Sequence, residues 1–361
     1  MGKLVVHVAG IDISEESGMG RIAWHWRNEL LRRGYDFIHI GLKEVGKILH
    51  QSLFPYYAYR IYRNLNRKAA LFLVHEPDSV PFVHSDIPAV VFSHGVERRG
   101  WSLALQNKLG ENQKISLKTK LLFPLWRIKQ CDEGLRKADL LLLSNQEDAA
   151  FTKMYYLRQQ KNIYVFKNGV YQSKPSEDVK SNDNLTILFL GTWQSRKGIK
   201  TLVDAAKLLL QRGLKLKWLL AGISVEPKQA LRDFPSELFP FIEIVPRFSR
   251  LEEIGILERA DIFILPSFFE GQPLSLLQAM ETGCCCITTN CCGQRDIIQH
   301  GYNGLLYEPG DAISLADLIE KCAVTPELRY SLGKRARKSI EHRTWEAVST
   351  EIIDRIETLI V

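Results

Sequence analysis

Six short apolar runs punctuate the first half of the chain: Leu4–Ala9, Phe37–Ile40, Leu71–Val74, Ala89–Phe92, Asp139–Leu143 and Ile163–Phe166. They are continuous rather than alternating, the pattern of strands buried on both faces of a parallel sheet. Between them lie stretches of helical spacing, such as Ile22, Trp26, Leu30 and Arg33 over residues 22–33, closed by Gly34. A second set of six runs follows: Thr186–Leu190, Leu216–Ala221, Ile242–Val245, Ile262–Leu265, Cys284–Thr288 and Leu305–Tyr307. Helices are predicted over residues 199–211 and 252–258, and over 345–360, where Val348, Ile352, Ile356 and Leu359 make one stripe. The two sets are separated by YQSKPSEDVKSNDN at residues 171–184, which is polar, holds a proline and lacks apolar periodicity. The expected fold is therefore α/β, with two Rossmann-like parallel-sheet domains facing across a cleft. Their expected limits are 1–170 and 185–342, joined by a linker at 171–184, with 343–361 a C-terminal helix crossing back towards the first domain.

Composition changes this picture little: 45% apolar and 25% charged over 361 residues, without repeats, is that of a globular protein. The distribution of charge is more informative than the net +7, because residues 98–137 hold ten basic side chains against three acidic ones. Trp101, Leu121, Leu122, Leu125 and Trp126 are interleaved with those basics, as on a surface that meets anionic lipid, or as on two packed helices with solvated lysines. A secretory leader is not expected, since Leu4–Gly10 is short and soon meets Asp12 and Glu15. No apolar run approaches the ~20 residues of a membrane span. The seven cysteines include no CxxC pair and no histidine at zinc spacing, so they read as small hydrophobes of a reduced, cytoplasmic protein, with no metal site. Nucleic acid is not an expected partner, because the charge is small and no binding module is present.

Four places carry candidate chemistry. Ser17-Gly18-Met19-Gly20-Arg21 follows the first strand at the mouth of a helix, where glycines let the backbone approach an anion. Gly191 to Gly198, GTWQSRKG, again lies between a strand and a helix, and Arg196 and Lys197 are cations suited to phosphate oxygens. His75 and His94 stand at the carboxyl ends of the third and fourth strands, where ligands of open α/β sheets bind. Glu270, followed by Gly271 and, eight residues on, by Gln278, is expected at the start of a helix.

These features occur together and in order. From Ile187 to Asp311 the chain reads G-x5-K-G, PS-x2-EG-x4-LLQAM-x2-G, CG-x2-DII and GYNGLLYEPGD, with Asn168-Gly169-Val170 before and Trp345-Glu346 after. In these motifs the chain resembles the retaining glycosyltransferases of the GT-B type, group 1 or GT4. The resemblance implies a nucleoside-diphosphate sugar as donor substrate and no cofactor. It implies that Gly18 and Gly20 approach the donor diphosphate, that His94 stands near sugar and acceptor, and that Lys197, with Arg196, binds the diphosphate. Glu270 would hold donor sugar hydroxyls, with Gly271, Leu274 and Gln278 completing the donor site. Two positions depart from the family pattern: Thr192 stands where an arginine is usual, and Gln278 where a second glutamate meets the nucleotide ribose.

The expected reaction is sugar transfer with retention to a glycan or lipid-linked saccharide, in polysaccharide biosynthesis, by an enzyme that is cytoplasmic or peripheral on the inner face of the cytoplasmic membrane. A sugar-nucleotide epimerase or phosphorylase of the same fold stays open, as does a non-catalytic nucleotide-sugar-binding scaffold.

Overall fold

The structure is a computed structural model that describes residues 2–110, 115–172 and 185–360. The chain divides into two compact units. Of the described residues, unit 1 holds 2–105, 115–169 and 345–360, and unit 2 holds 106–110, 170–172 and 185–344. Most of the expected linker, residues 173–184, lies outside the described residues. Residues 106–110, which the sequence assigns to the first domain, belong to unit 2, because Gly110 packs closely against Ser195 and Phe268.

Unit 1 is built on a parallel sheet of β1 (Leu4–Val8), β2 (Asp36–Ile40), β3 (Leu71–His75), β4 (Ala89–Ser93), β5 (Leu140–Leu143) and β6 (Ile163–Val165), in the order β2-β1-β3-β4-β5-β6. β1, β4 and β5 are buried along their whole length, which explains why their sequences do not alternate. Trp26, from the helix Gly18–Arg32, packs edge-on against Phe92 and Phe166, each at 5.4 Å, and so seats that helix on the sheet. The last helix, Trp345–Glu357, also belongs to unit 1. It buries Val348, Ile352, Ile353 and Ile356, while Leu359 of the predicted stripe falls beyond the helix end and is half-buried. Trp345 stacks on His25 at 4.2 Å, and Arg33 bridges Glu29 (2.7 Å) to Asp354 and Glu357 (2.6 Å each).

Unit 2 repeats the plan with β7 (Thr186–Leu190), β8 (Lys217–Ala221), β9 (Ile242–Val245), β10 (Ile262–Leu265), β11 (Cys285–Thr289) and β12 (Leu305–Tyr307), in the order β12-β11-β10-β7-β8-β9. The cysteine triplet obeys the two-residue period of a strand. Cys285 packs into the core on one face of the sheet, and Cys284 and Cys286 into the core on the other. All seven cysteines are free thiols.

In both sheets the chain leaves the centre in opposite directions. After β7 it runs outwards through β8 and β9, then returns to β10 on the other side of β7 and continues through β11 and β12. The connections after β7 and β10 therefore continue to opposite sides of the sheet's centre, a switch point at the carboxyl ends of adjacent strands where such folds bind ligands. In unit 1 the corresponding switch lies between β1 and β3.

Candidate functional site

The unit 2 site stands at its switch point. After β7 the chain turns at Gly191 into a short 3-10 turn, Ser195–Lys197, and enters the helix Ile199–Gln211 through Gly198. Gly198 has φ +73°, and any Cβ there would collide with the carbonyl of Pro266. Only glycine lets this turn lie against the loop after β10. The Phe268 N–H then donates to the Arg196 carbonyl at 2.9 Å, fastening the two loops together. Trp193 anchors the other end of the turn: its indole N–H donates to Asp233 at 2.8 Å, and its ring meets Phe189 and Phe234.

Glu270 lies in the fastened loop, upstream of the helix Leu274–Glu281, whose first residue is four positions further on. It is therefore not the helix-initial acid that the sequence predicts. It is 8% exposed. The Lys197 ammonium makes an ion pair with its Oε1, Ser267 Oγ donates to the same oxygen at 2.7 Å, and Arg196 stands 3.9 Å from Oε2. Burial by itself would raise the pKa of this carboxyl. The charges of Lys197 and Arg196, with the bonds from Lys197 and Ser267, outweigh burial and hold it below the ordinary carboxylate range. Glu270 is thus a buried, ionised acceptor flanked by cations.

Further residues hold the loop in place. Thr289 Oγ1 donates to the Ser267 carbonyl at 2.6 Å, and Gln294 Nε2 donates to Thr289 at 3.1 Å. Gly293 approaches so closely that a Cβ would collide with the Gly271 carbonyl. Leu274 and Gln278, one turn apart on the helix and both half-buried, share a face. Ser267, Thr289 and Gln294 are not among the residues expected from the sequence. The PS of PS-x2-EG marks the first, but Thr289 ends β11 and Gln294 lies just beyond it, so both meet the loop only through the sheet.

Unit 1 places the other candidates. The first helix begins at Gly18, four residues before the predicted start, so Gly18 and Gly20 lie in its first turn. Ser17 caps it, accepting from the Gly20 N–H at 3.0 Å, and a side chain at Gly20 would strike the Asp12 carbonyl and Ser17 itself. Gly18 is exposed.

His94 follows β4, edge-on to Phe92 and 4.9 Å from the His75 ring. Its Nε2 is shut off from solvent and has no hydrogen-bond partner, and burial lowers its pKa to about 4. It is therefore a neutral imidazole near pH 7. Burial, followed by the His94 charge, likewise holds His75 well below the usual range.

Beside these rings lie two acids that sequence reasoning missed, although both stand in the VHEPD segment around His75. Glu76, 2% exposed, accepts from Ser93 Oγ at 2.5 Å and the Glu97 N–H at 3.1 Å, and burial pushes its pKa up to about 8. Asp78 accepts from the Gly10 N–H at 3.0 Å, tying the loop after β1 to the loop after β3, and burial raises its pKa to about 6. His7 and His39, also missed, face each other across β1 and β2 with their Nδ1 atoms 2.9 Å apart.

Among the described residues no group of three or more His, Cys, Asp or Glu is arranged to hold a metal ion. No helix among them is long and apolar enough to cross a membrane.

Comparison with known proteins bears on unit 2 first. Residues 172–339 match the family described as glycosyl transferases group 1. The match spans a little under half of the chain. It contains Arg196, Lys197, Ser267, Glu270, Gln278 and Thr289, so the whole loop-to-loop cluster lies inside the group 1 segment.

Among curated relatives, the capsular polysaccharide biosynthesis glycosyltransferase CapM of Staphylococcus aureus is 29% identical over 166 residues, 45% of this chain and 43% of that protein. The chain spans about half the length of the curated relatives it matches, 43%, 45% and 49% in three of them. Solved structures extend the likeness to both units. A sucrose-phosphate synthase from Thermosynechococcus elongatus superposes with a TM-score of 0.81 at 16% identity, over 99% of both chains. The Anabaena HepE protein in complex with UDP-glucose gives 0.69 at 14%, over 98% of this chain and 99% of that one. The fold is that of the GT-B glycosyltransferases.

Proposed function

We propose that the protein is a retaining glycosyltransferase that moves a sugar from a nucleoside-diphosphate sugar to a hydroxyl of a glycan or lipid-linked saccharide, in polysaccharide biosynthesis. The observation that carries this reading is the Lys197–Glu270–Arg196 cluster at the switch point between β7 and β10. The free thiols fit a reducing, cytoplasmic setting, and the HepE protein, of the same fold, is solved with UDP-glucose bound.

In this reaction the acceptor oxygen bonds to the anomeric carbon and the bond from that carbon to the diphosphate breaks. The departing phosphate oxygen keeps the electron pair and takes the proton that the acceptor hydroxyl gives up. Negative charge grows on the diphosphate, where Lys197 and Arg196 offer fixed positive charge. Lys197 then exchanges its bond to Glu270 for one to phosphate. The released carboxylate, ionised by its surroundings, accepts hydrogen bonds from the sugar hydroxyls. Leu274 and Gln278 line the same site with Gly271. The neutral Gln278 makes weaker bonds to a ribose than a carboxylate would.

His94 is uncharged at neutral pH and serves as a hydrogen-bond partner to the sugar. With two cations at the diphosphate no divalent ion is required, so turnover is expected to continue in EDTA. Unit 1 takes the acceptor and unit 2 the donor.

The test is product analysis by mass spectrometry with UDP-, GDP- and ADP-sugars and a panel of acceptors, with Glu270→Ala as control. Transfer, or slow donor hydrolysis, that is lost in the variant supports the reading. Nucleotide binding without turnover would make the protein a non-catalytic scaffold. An epimerised sugar nucleotide, or a phosphate-dependent product, would make it an epimerase or a phosphorylase.

A further inference from the structure

The helix Leu117–Phe123 in unit 1 has seven residues and buries none of them. Isolated helices of that length are unstable in water, and in folded proteins packing of an apolar face supplies what propensity lacks. Here the apolar side chains are turned outward: Leu117 is 74% exposed, Leu121 62%, Leu125 65% and Trp126 53%. The last two lie on the π-helical turn Pro124–Ile128, which continues the helix.

A second segment, distant in sequence, meets this one. The His50 ring stands 6.1 Å from that of Trp126, and Gln130 Nε2 donates to the Ser52 carbonyl at 3.0 Å. Next to His50, Leu49 is 94% exposed. The two segments are therefore neighbours on the surface of unit 1, and both carry exposed leucines or tryptophan. Monomeric surfaces rarely gather so many without a use for them.

Within residues 117–129 the charges have one sign. Residues 117–129 contain Lys118, Lys120, Arg127 and Lys129 and no acid. Arg127 is paired with Glu97 at 3.2 Å, whereas Lys118, Lys120 and Lys129 are exposed, as is Lys47 beside Leu49. Leucine and tryptophan interleaved with lysine, without carboxylates, is the chemistry of a helix lying in the headgroup region of an anionic bilayer. A tryptophan is suited to that boundary, because its ring is apolar and its N–H is polar. A protein partner of opposite charge would satisfy the lysines but leave the protruding Leu49 and Leu121 in need of a matching groove.

We infer that unit 1 docks on an anionic lipid surface through this face, built from residues 47–50 and 117–129. The inference deepens the proposed function, on which it rests for its purpose: the face would bring the enzyme to the surface where a lipid-linked acceptor is presented.

The test is co-sedimentation of the full chain with vesicles of phosphatidylcholine, with and without phosphatidylglycerol, at low and high salt. Binding only to the anionic vesicles, released by salt, is expected, and each of Lys118→Ala and Lys120→Ala should weaken it about fivefold. Leu121→Glu with Trp126→Glu should weaken it more than about tenfold, and Leu49→Glu should weaken it by a similar factor. Equal retention on neutral vesicles would overturn the inference, as would retention unchanged in the leucine variants. A lipid-free oligomer that the Leu121→Glu variant converts to monomer would assign the face to a second copy and overturn it too. All these side chains are exposed, so unchanged circular dichroism is expected in every variant. Nucleoside-diphosphate binding by calorimetry, which needs no turnover, separates failure of the lipid face from failure of the donor reading.

Discussion

Glu270 and Lys197 are 73 residues apart in the chain and joined by an ion pair that is almost closed to water. Removing one partner of such a pair strands the other charge, which costs more than the pair itself contributes. Lys197→Met is therefore expected to destabilise unit 2 by about 3–5 kcal/mol in chemical denaturation. Adding Glu270→Gln should recover most of the loss. Additive losses would mean that the two side chains are not coupled.

The second prediction at this scale concerns pH. Glu76 holds its proton up to about 8 when folded, against an ordinary value of 4.5. An acid with a raised folded pKa binds more protons in the native state, so its contribution is full below 4.5 and is lost as pH rises through about 8. The buried histidines act oppositely: His94, lowered to about 4 from 6.5, favours the folded state more as pH rises through that interval. Glu76→Gln isolates the first effect. Its stability difference from the parent chain should change between pH 5 and 8, and a difference constant over that range would refute the assignment.

The elements matter as carriers of loops. Gly198 is the point where the turn after β7 and the loop after β10 touch, and its positive φ can be separated from its lack of a side chain. Gly213, with φ +84° and nothing within 4 Å of a prospective Cβ, has the conformation without the contact. Gly213→Ala should cost only the left-handed backbone term of about 1–2 kcal/mol. Gly198→Ala should cost more than that in denaturation, and should also weaken nucleoside-diphosphate binding in calorimetry. Equal effects in the two variants would show that the contact with Pro266 is unimportant.

Most of this level could be read in advance. All twelve strands among the described residues fall within a residue or so of the apolar runs, and the inner ones, buried on both faces, leave an unbroken hydrophobic signature. The start of the first helix was misplaced, since Gly18 and Gly20 lower helix propensity and look like loop. They are accommodated because Ser17 caps the turn and Gly20 packs where a side chain would not fit.

At the scale of the molecule, the chain returns to its first unit at the end. The helix Trp345–Glu357 packs on the helix Gly18–Arg32 in unit 1, with Trp345 over His25 and Asp354 and Glu357 on Arg33. Deleting residues 345–361 removes the buried Trp345, Val348, Ile352, Ile353 and Ile356 and exposes the apolar surface they cover. Each such side chain contributes about 1.5–3 kcal/mol when buried. In differential scanning calorimetry the deletion should lower or abolish the unit 1 transition and leave that of unit 2 near its original temperature. A shift confined to unit 2 would contradict the assignment of this helix.

The sequence by itself determined the class of fold and most of the list of chemical groups. Apolar periodicity is a local property, and glycines, cations and acids at strand ends can be recognised one by one. Lys197, Arg196, Glu270 and His94 were all named from it. The tertiary structure decided which of them meet and in what state. The order of strands brings the ends of β7 and β10 together, and no local pattern encodes that order. Glu270 thereby changes from an acid expected to cap a helix into a buried carboxylate kept ionised by Lys197 and Arg196. The same holds for Ser267, Thr289, Gln294, Glu76 and Asp78. Their bonds run between segments far apart in the chain, and charge state depends on burial and neighbours, which exist only once the chain has folded.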